Sequence, residues 1–171
     1  MITYREYCKT IREDWGKTSP IPKEVYDFPD DPLKGIKWVD LGLKSGLLWA
    51  ESNTLNPADG SPYWTWDEIM ASDYAEHVPE VKNWVELANN RDTMMSETEM
   101  RTGKLRIPLV GYYPQGDTSV SAGSGGYYWT AEEGEYPDEA IHVFIRPGQN
   151  SIVKDFDYKT SKMCLRLVKY K

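Results

Sequence analysis

WVDLGLKSGLLWAESN, from Trp38 to Asn53, sets strand character and turn character side by side. Val39, Leu41 and Leu43 alternate with Trp38, Asp40 and Gly42, the period-two pattern of a half-buried strand. Lys44-Ser45-Gly46 is turn material, and Leu47-Leu48-Trp49-Ala50 is a second short apolar strand. Together they predict a hairpin-like unit at which the main domain begins.

Upstream, Thr3 to Trp15 reads as a short amphipathic helix. Thr3 and Glu6 have capping-box spacing, Tyr4, Tyr7, Cys8, Ile11 and Trp15 share one face, and Gly16 stops the run. Pro20, Pro22, Pro29 and Pro32 then forbid helix and sheet interior, so residues 1–35 are expected to form a helix and a proline-rich docking arm. Tyr4, Tyr7, Ile11 and Trp15 are its candidate partner-docking residues.

Downstream, residues 53–64 are loop by composition, and Thr65 with Glu68 predicts a capping box for a short helix carrying Ile69, Met70 and Tyr74. Pro79 stands where a first-turn proline would, ahead of Val81, Trp84, Val85 and Ala88 at helical spacing, with Asn89-Asn90 as the stop. Met94 to Arg101 reads equally as helix or surface loop. From Leu105 the character is β: LRIPLVGYYP, GGYYWTAEE, EAIHVFIRP, SIVKDFDY and MCLRLVKYK are candidate strands separated by Gly, Pro, Asn and Asp. Helices followed by strands predict an α+β domain over residues 36–171 rather than a βαβ repeat.

Composition bounds the function. A chain of 171 residues, 40% apolar and 27% charged, suits one globular domain. A net charge of −7 and no Lys/Arg cluster longer than two argue against nucleic acid. No apolar segment reads as a membrane span or secretion signal. Cys8 and Cys164 have no metal-ligand spacing; two buried free thiols are expected, with one disulfide as the alternative. Seven Trp and twelve Tyr against three Phe favour side chains with an apolar body and a hydrogen-bonding tip.

Several stretches resemble the Fibrobacter succinogenes major paralogous domain, found in Bacteroidetes and their phages. WVDLGLKSGLLWAESN is similar to its "VDLGLPSGTLWAxxN" opening, PYWTWDE to "YxAWGE", and VPEVKNWVELANN to "LPTxxEWxELxNN". In the same order, LRIPLVGYYPQGD resembles "IFLPAAGYRxG", SGGYYWTAEE resembles "GxYWSSS", EAIHVFI resembles "AxxLxF", and CLRLVKYK resembles the closing "VRCVR". The resemblance implies a C-type-lectin-like fold with an antiparallel sheet and packed helices. It also implies that Val39 to Leu43 lies beside a closing strand at Leu165 to Val168, with Trp49 anchoring the core. Residues 1–35 lie outside it.

Chemistry for catalysis is sparse. His77, in the polar DYAEHVPE, reads as solvated, and His142 reads as facing the polar side of a strand; neither has a triad partner by spacing. The carboxylate pairs, Glu132-Glu133 and Asp155 with Asp157 among them, read as solvated loops, and no catalytic residue, metal or cofactor is expected. Tyr112, Tyr113, Gln115, Asp117, Tyr127 and Tyr136 are candidate ligand-binding residues on or beside loops. Trp64 and Trp66 either stack on a sugar ring or belong to the core. The resulting expectation is a non-enzymatic phage virion component, a head or tail decoration or fibre-associated protein. It would contact virion or surface proteins through its arm and a host-surface glycan or protein through its domain, and a homo-oligomer is compatible. The alternative is a bacterial cell-surface carbohydrate- or protein-binding module.

Overall fold

The structure, a computed structural model, describes residues 5, 6, 8, 9, 31–90, 94–96, 105–118, 120, 125–146 and 152–171. Along the chain run β1 (Trp38–Asp40), β2 (Leu47–Ala50), β3 (Tyr63–Trp64), α1 (Trp66–Ala71), a 3-10 turn (Ala75–His77), α2 (Val81–Asn89), β4 (Met94–Ser96), β5 (Leu105–Ile107), β6 (Gly126–Glu133), β7 (Glu139–Ile145), β8 (Ile152–Tyr158), β9 (Met163–Cys164) and β10 (Val168–Tyr170). The fold is mixed α+β, mostly sheet. Arg5, Glu6, Cys8 and Lys9 are helical. Tyr4, Tyr7, Ile11 and Trp15, the proposed docking face, lie outside the described residues, as does the proline strap up to residue 30.

β1 and β2 pair antiparallel with Val39 opposite Trp49. Gly46 closes their turn: its N–H donates to Leu43 O at 2.9 Å, and its φ of +75° is left-handed backbone that glycine adopts without penalty. The closing strand does not lie beside the opening one. β10 starts at Val168 and pairs with the far edge of β2, giving the order β1-β2-β10. The hairpin already occupies one edge of β2, and Leu165 to Leu167 are diverted into the core: the carbonyls of Leu165 and Leu167 accept from Thr54 and Ala50.

The second sheet has the order β3-β9-β6-β7-β8. Side chains alternate across a strand, so β6 and β7 feed a core on each face. Tyr128, Val143 and Ile145 join Trp49, Trp84 and Leu87 on the α2 side. Trp129 and Ala140 join Trp64, Trp66, Ile69, Met163 and Leu165 on the other. Trp49 is fully buried, with the Trp84 ring edge-on at 4.8 Å. Leu33 belongs to the core around Trp129, so packing begins before residue 36. β4 and β5 form a separate parallel pair, which resolves the ambiguity over Met94.

The α1 capping box is present: Thr65 Oγ1 accepts from Glu68 N at 3.2 Å and Glu68 Oε1 accepts from Thr65 N at 2.9 Å. The helix ends at Ala71, leaving Tyr74 beyond it. Pro79 is not in the first turn of α2. Glu80 is the N-cap, and Pro79 O instead accepts from Ala131 N at 3.0 Å, tying the helix start to β6. Glu132 is not a solvated loop carboxylate either; its Oε2 accepts from Val81 N at 2.6 Å, satisfying a donor that the first turn leaves open.

Candidate functional site

A cleft of about 450 Å³ opens where three loops meet. One wall is the 56–61 loop. Asn56 holds it: its side-chain amide donates to Tyr63 O at 3.1 Å and to Glu68 Oε2 at 2.9 Å, and its backbone carbonyl accepts from Gly60 N at 2.7 Å. Asp59 Oδ1 then accepts from Ser61 N at 2.9 Å. Those Ser61 hydrogen bonds, aided by the Lys162 charge, hold the Asp59 carboxyl below its ordinary range.

The other walls are the 113–118 loop and the β8–β9 turn. Tyr113 and Lys162 exchange backbone hydrogen bonds of 2.9 and 2.8 Å, and Gln115 N donates to Ser161 Oγ at 3.0 Å. This fastening sets the Tyr113 ring edge-on to Tyr63 at 5.0 Å. The Tyr63 hydroxyl donates to Val110 O at 2.6 Å, and burial, with Cys164 and Tyr113 adding to it, pushes its pKa up to about 12. Tyr63 is therefore a fixed neutral wall. Asp59, Asp117 and Lys162 are exposed at the rim, with Thr160 beside them.

The sequence-expected residues separate into groups. Tyr113 and Asp117 line the cleft, and Gln115 sits exposed in the same turn. Tyr112 packs on Tyr127 with ring centroids 4.2 Å apart, away from the cleft lining. Tyr136 is 59% exposed in the β6–β7 turn and does not line the cleft. Trp64 and Trp66 are core: both are buried, and their indole N–H groups donate to Thr54 O and Thr130 O at 2.9 Å each. They are not available to stack on a sugar. Asp59, Ser61, Tyr63, Thr160 and Lys162 were missed, because only the fold brings the β3 end beside the β8–β9 turn.

Both histidines depart from expectation. His77 is buried, its Nδ1 3.2 Å from Val168 O. His142 is buried among Tyr127 and Trp129 rather than solvated. Neither lines the cleft. Cys8 and Cys164 form no disulfide, and of the two thiols expected to be buried only Cys164 is, Cys8 being half-buried. Burial pushes the Cys164 thiol up to about 12 despite the Arg166 charge, which makes it a poor nucleophile. Among the described residues, no group of three or more His, Cys, Asp or Glu is arranged to hold a metal, and no helix is long and apolar enough to cross a membrane.

The cleft thus offers ring surface, carboxylate acceptors, hydroxyls and one ammonium. This is equipment for holding a polar ligand by hydrogen bonds and ring contact. No family model, curated protein or solved structure matches the chain.

Proposed function

We propose that this chain is a non-enzymatic binding protein whose cleft takes a polyhydroxylated ligand, such as a sugar unit of a host-surface glycan. One observation carries the proposal: Tyr63 and Tyr113 rings stand in one cleft with Asp59, Asp117, Thr160 and Lys162. A pyranose has apolar C–H faces and an equatorial belt of hydroxyls, and this set matches both. Carboxylates of Asp59 and Asp117 accept from hydroxyls, Lys162 donates, and the tyrosines meet the C–H faces. The opposed charges at the rim disfavour a strongly anionic ligand.

The wider setting we propose is a lectin-like domain of the major paralogous kind on a phage virion, as a head or tail decoration or fibre-associated protein. The sequence resemblance supports it, together with a hairpin at 38–50 that shares a sheet with the chain's last strand. Glycan-array binding by the full chain tests the ligand. Retention of neutral glycans by the native protein and loss on Tyr113→Ala or Lys162→Ala are expected; binding that ignores both substitutions overturns the assignment of the cleft. Sedimentation of the protein with phage-sized particles rather than outer membrane tests the setting.

A further inference from the structure

A second surface lies on the face of β6, β7 and β8 turned away from α2. Tyr127 pairs with Phe144 across the strands, and their rings stack at 4.7 Å and 25°. Tyr112 adds a third ring, at 4.2 Å from Tyr127. At the Phe144 end the guanidinium of Arg146 lies 6.0 Å from the ring centroid. In the next strand Asp155 pairs with His142 and Asp157 with Ala140, so both carboxylates share the face of Tyr127 and Phe144. Asp117 belongs to the same loop as Tyr112.

Ser161 Oγ links β8 to the Tyr112 loop, donating to Asp157 Oδ1 at 2.9 Å and accepting from Gln115 N at 3.0 Å. Burial, then Asp157, with Tyr127, Asp117 and Asp155 behind it, pushes the Tyr112 hydroxyl above its ordinary range. None of the three carboxylates has an ion pair among the described residues. Asp155 and Asp157 instead spend Oδ1 on the backbone N–H groups of Phe156 and Tyr158, at 2.8 and 2.7 Å, and Asp157 Oδ1 takes the Ser161 bond as well. Oδ2 of each makes no hydrogen bond among the described residues. His142 is 4% exposed, 5.8 Å from the Tyr127 ring, and its Nδ1 has no hydrogen-bond partner. The shelf is therefore aromatic, acidic and short of a positive charge.

We propose that this shelf binds an arginine side chain of a partner polypeptide at the Tyr112 end. The guanidinium would lie against Tyr112 and pair with Asp117, Asp155 and Asp157. A planar cation gains from both ring and carboxylate. Arg146 already makes the ring contact at the other end, from within the chain. A neutral sugar would leave this charge unanswered, and a second copy meeting this face would set its aspartates against their own images. The shelf shares Asp117 with the cleft rim, but Asp155 and Asp157 lie outside the cleft lining, and arginine binding here needs no sugar there.

The test is NMR of the full-length protein, following the aromatic signals of Tyr112, Tyr127 and Phe144 during titration with acetyl-Gly-Arg-Gly-amide. The isosteric citrulline peptide and glucosamine serve as comparison ligands. Shifts of these rings with the arginine peptide, and none with citrulline, are expected. Asp117→Asn and Asp155→Asn each remove a charge while keeping an oxygen, so the Phe156 cap survives, and each is expected to weaken binding about fivefold. Tyr113→Ala in the cleft leaves it unchanged. Equal shifts with citrulline, indifference to both asparagine variants, or tighter binding of glucosamine than of the arginine peptide would each overturn the proposal.

Discussion

Arg166 Nε donates to Asn53 Oδ1 at 2.8 Å, joining the end of the opening motif to the closing stretch of a chain 113 residues further on. Arg166 is fully buried, and no ion pair reaches it among the described residues. Its Nη1 donates to Ala50 O and Glu51 O, and its Nη2 to Arg106 O, all at 2.9 Å. The guanidinium thus fastens the β2 end, the segment before β10 and β5 together.

Replacing Arg166 by Met leaves those buried acceptors without their donors and is expected to cost about 3 kcal/mol in urea denaturation. Arg166→Lys is expected to recover less than half, because an ammonium lacks the planar fork. Asn53→Ala removes one charge-assisted bond and should cost about 2 kcal/mol. Near-wild-type stability of Arg166→Met would mean that the carbonyls find water.

The hairpin is tied to α2 by Glu86, whose Oε1 accepts from Ser45 Oγ at 2.6 Å and whose Oε2 accepts from Ser45 N at 3.1 Å. Glu86→Ala is expected to lower stability by about 1 kcal/mol and to speed amide exchange at Ser45. Unchanged exchange at Ser45 would show the tether to be idle.

Acid should loosen the 56–61 loop. Burial raises the Glu68 carboxyl, but hydrogen bonds from Asn56 and Thr65 outweigh it, so its folded pKa lies below the ordinary 4.5. A depressed folded pKa contributes stability above the unfolded value, and that contribution fades as pH falls through the folded one. Glu68→Gln is expected to be less stable than wild type at pH 7, with the gap closing below about pH 4.5. A gap that stays constant with pH would remove Glu68 from the titration.

The two aromatic sets should separate in mutagenesis. Trp64→Ala empties a core site and orphans Thr54 O, with an expected cost of about 4 kcal/mol by thermal denaturation. Tyr113→Ala, at a half-buried rim, should cost about 1 kcal/mol while abolishing glycan retention. Loss of binding by a stably folded Trp64 variant alone would reverse the assignment of core and site.

What the sequence determined was local. The Thr65-Glu68 capping box needs groups three residues apart, and the 38–50 hairpin needs alternation around a glycine turn; both forms are written into neighbouring residues. The α+β order followed from the same periodicities. Tertiary structure decided which edge of β2 receives β10, why Trp64 and Trp66 are buried, and where the histidines lie. It also divided Tyr112 from Tyr113: consecutive residues in an extended segment face opposite ways, so one meets Tyr127 and the other meets Tyr63. Lys162 reaches Tyr113 only through a bridge spanning 49 residues. Burial and pairing across such distances depend on what the rest of the chain leaves uncovered, and no local pattern of residues encodes that.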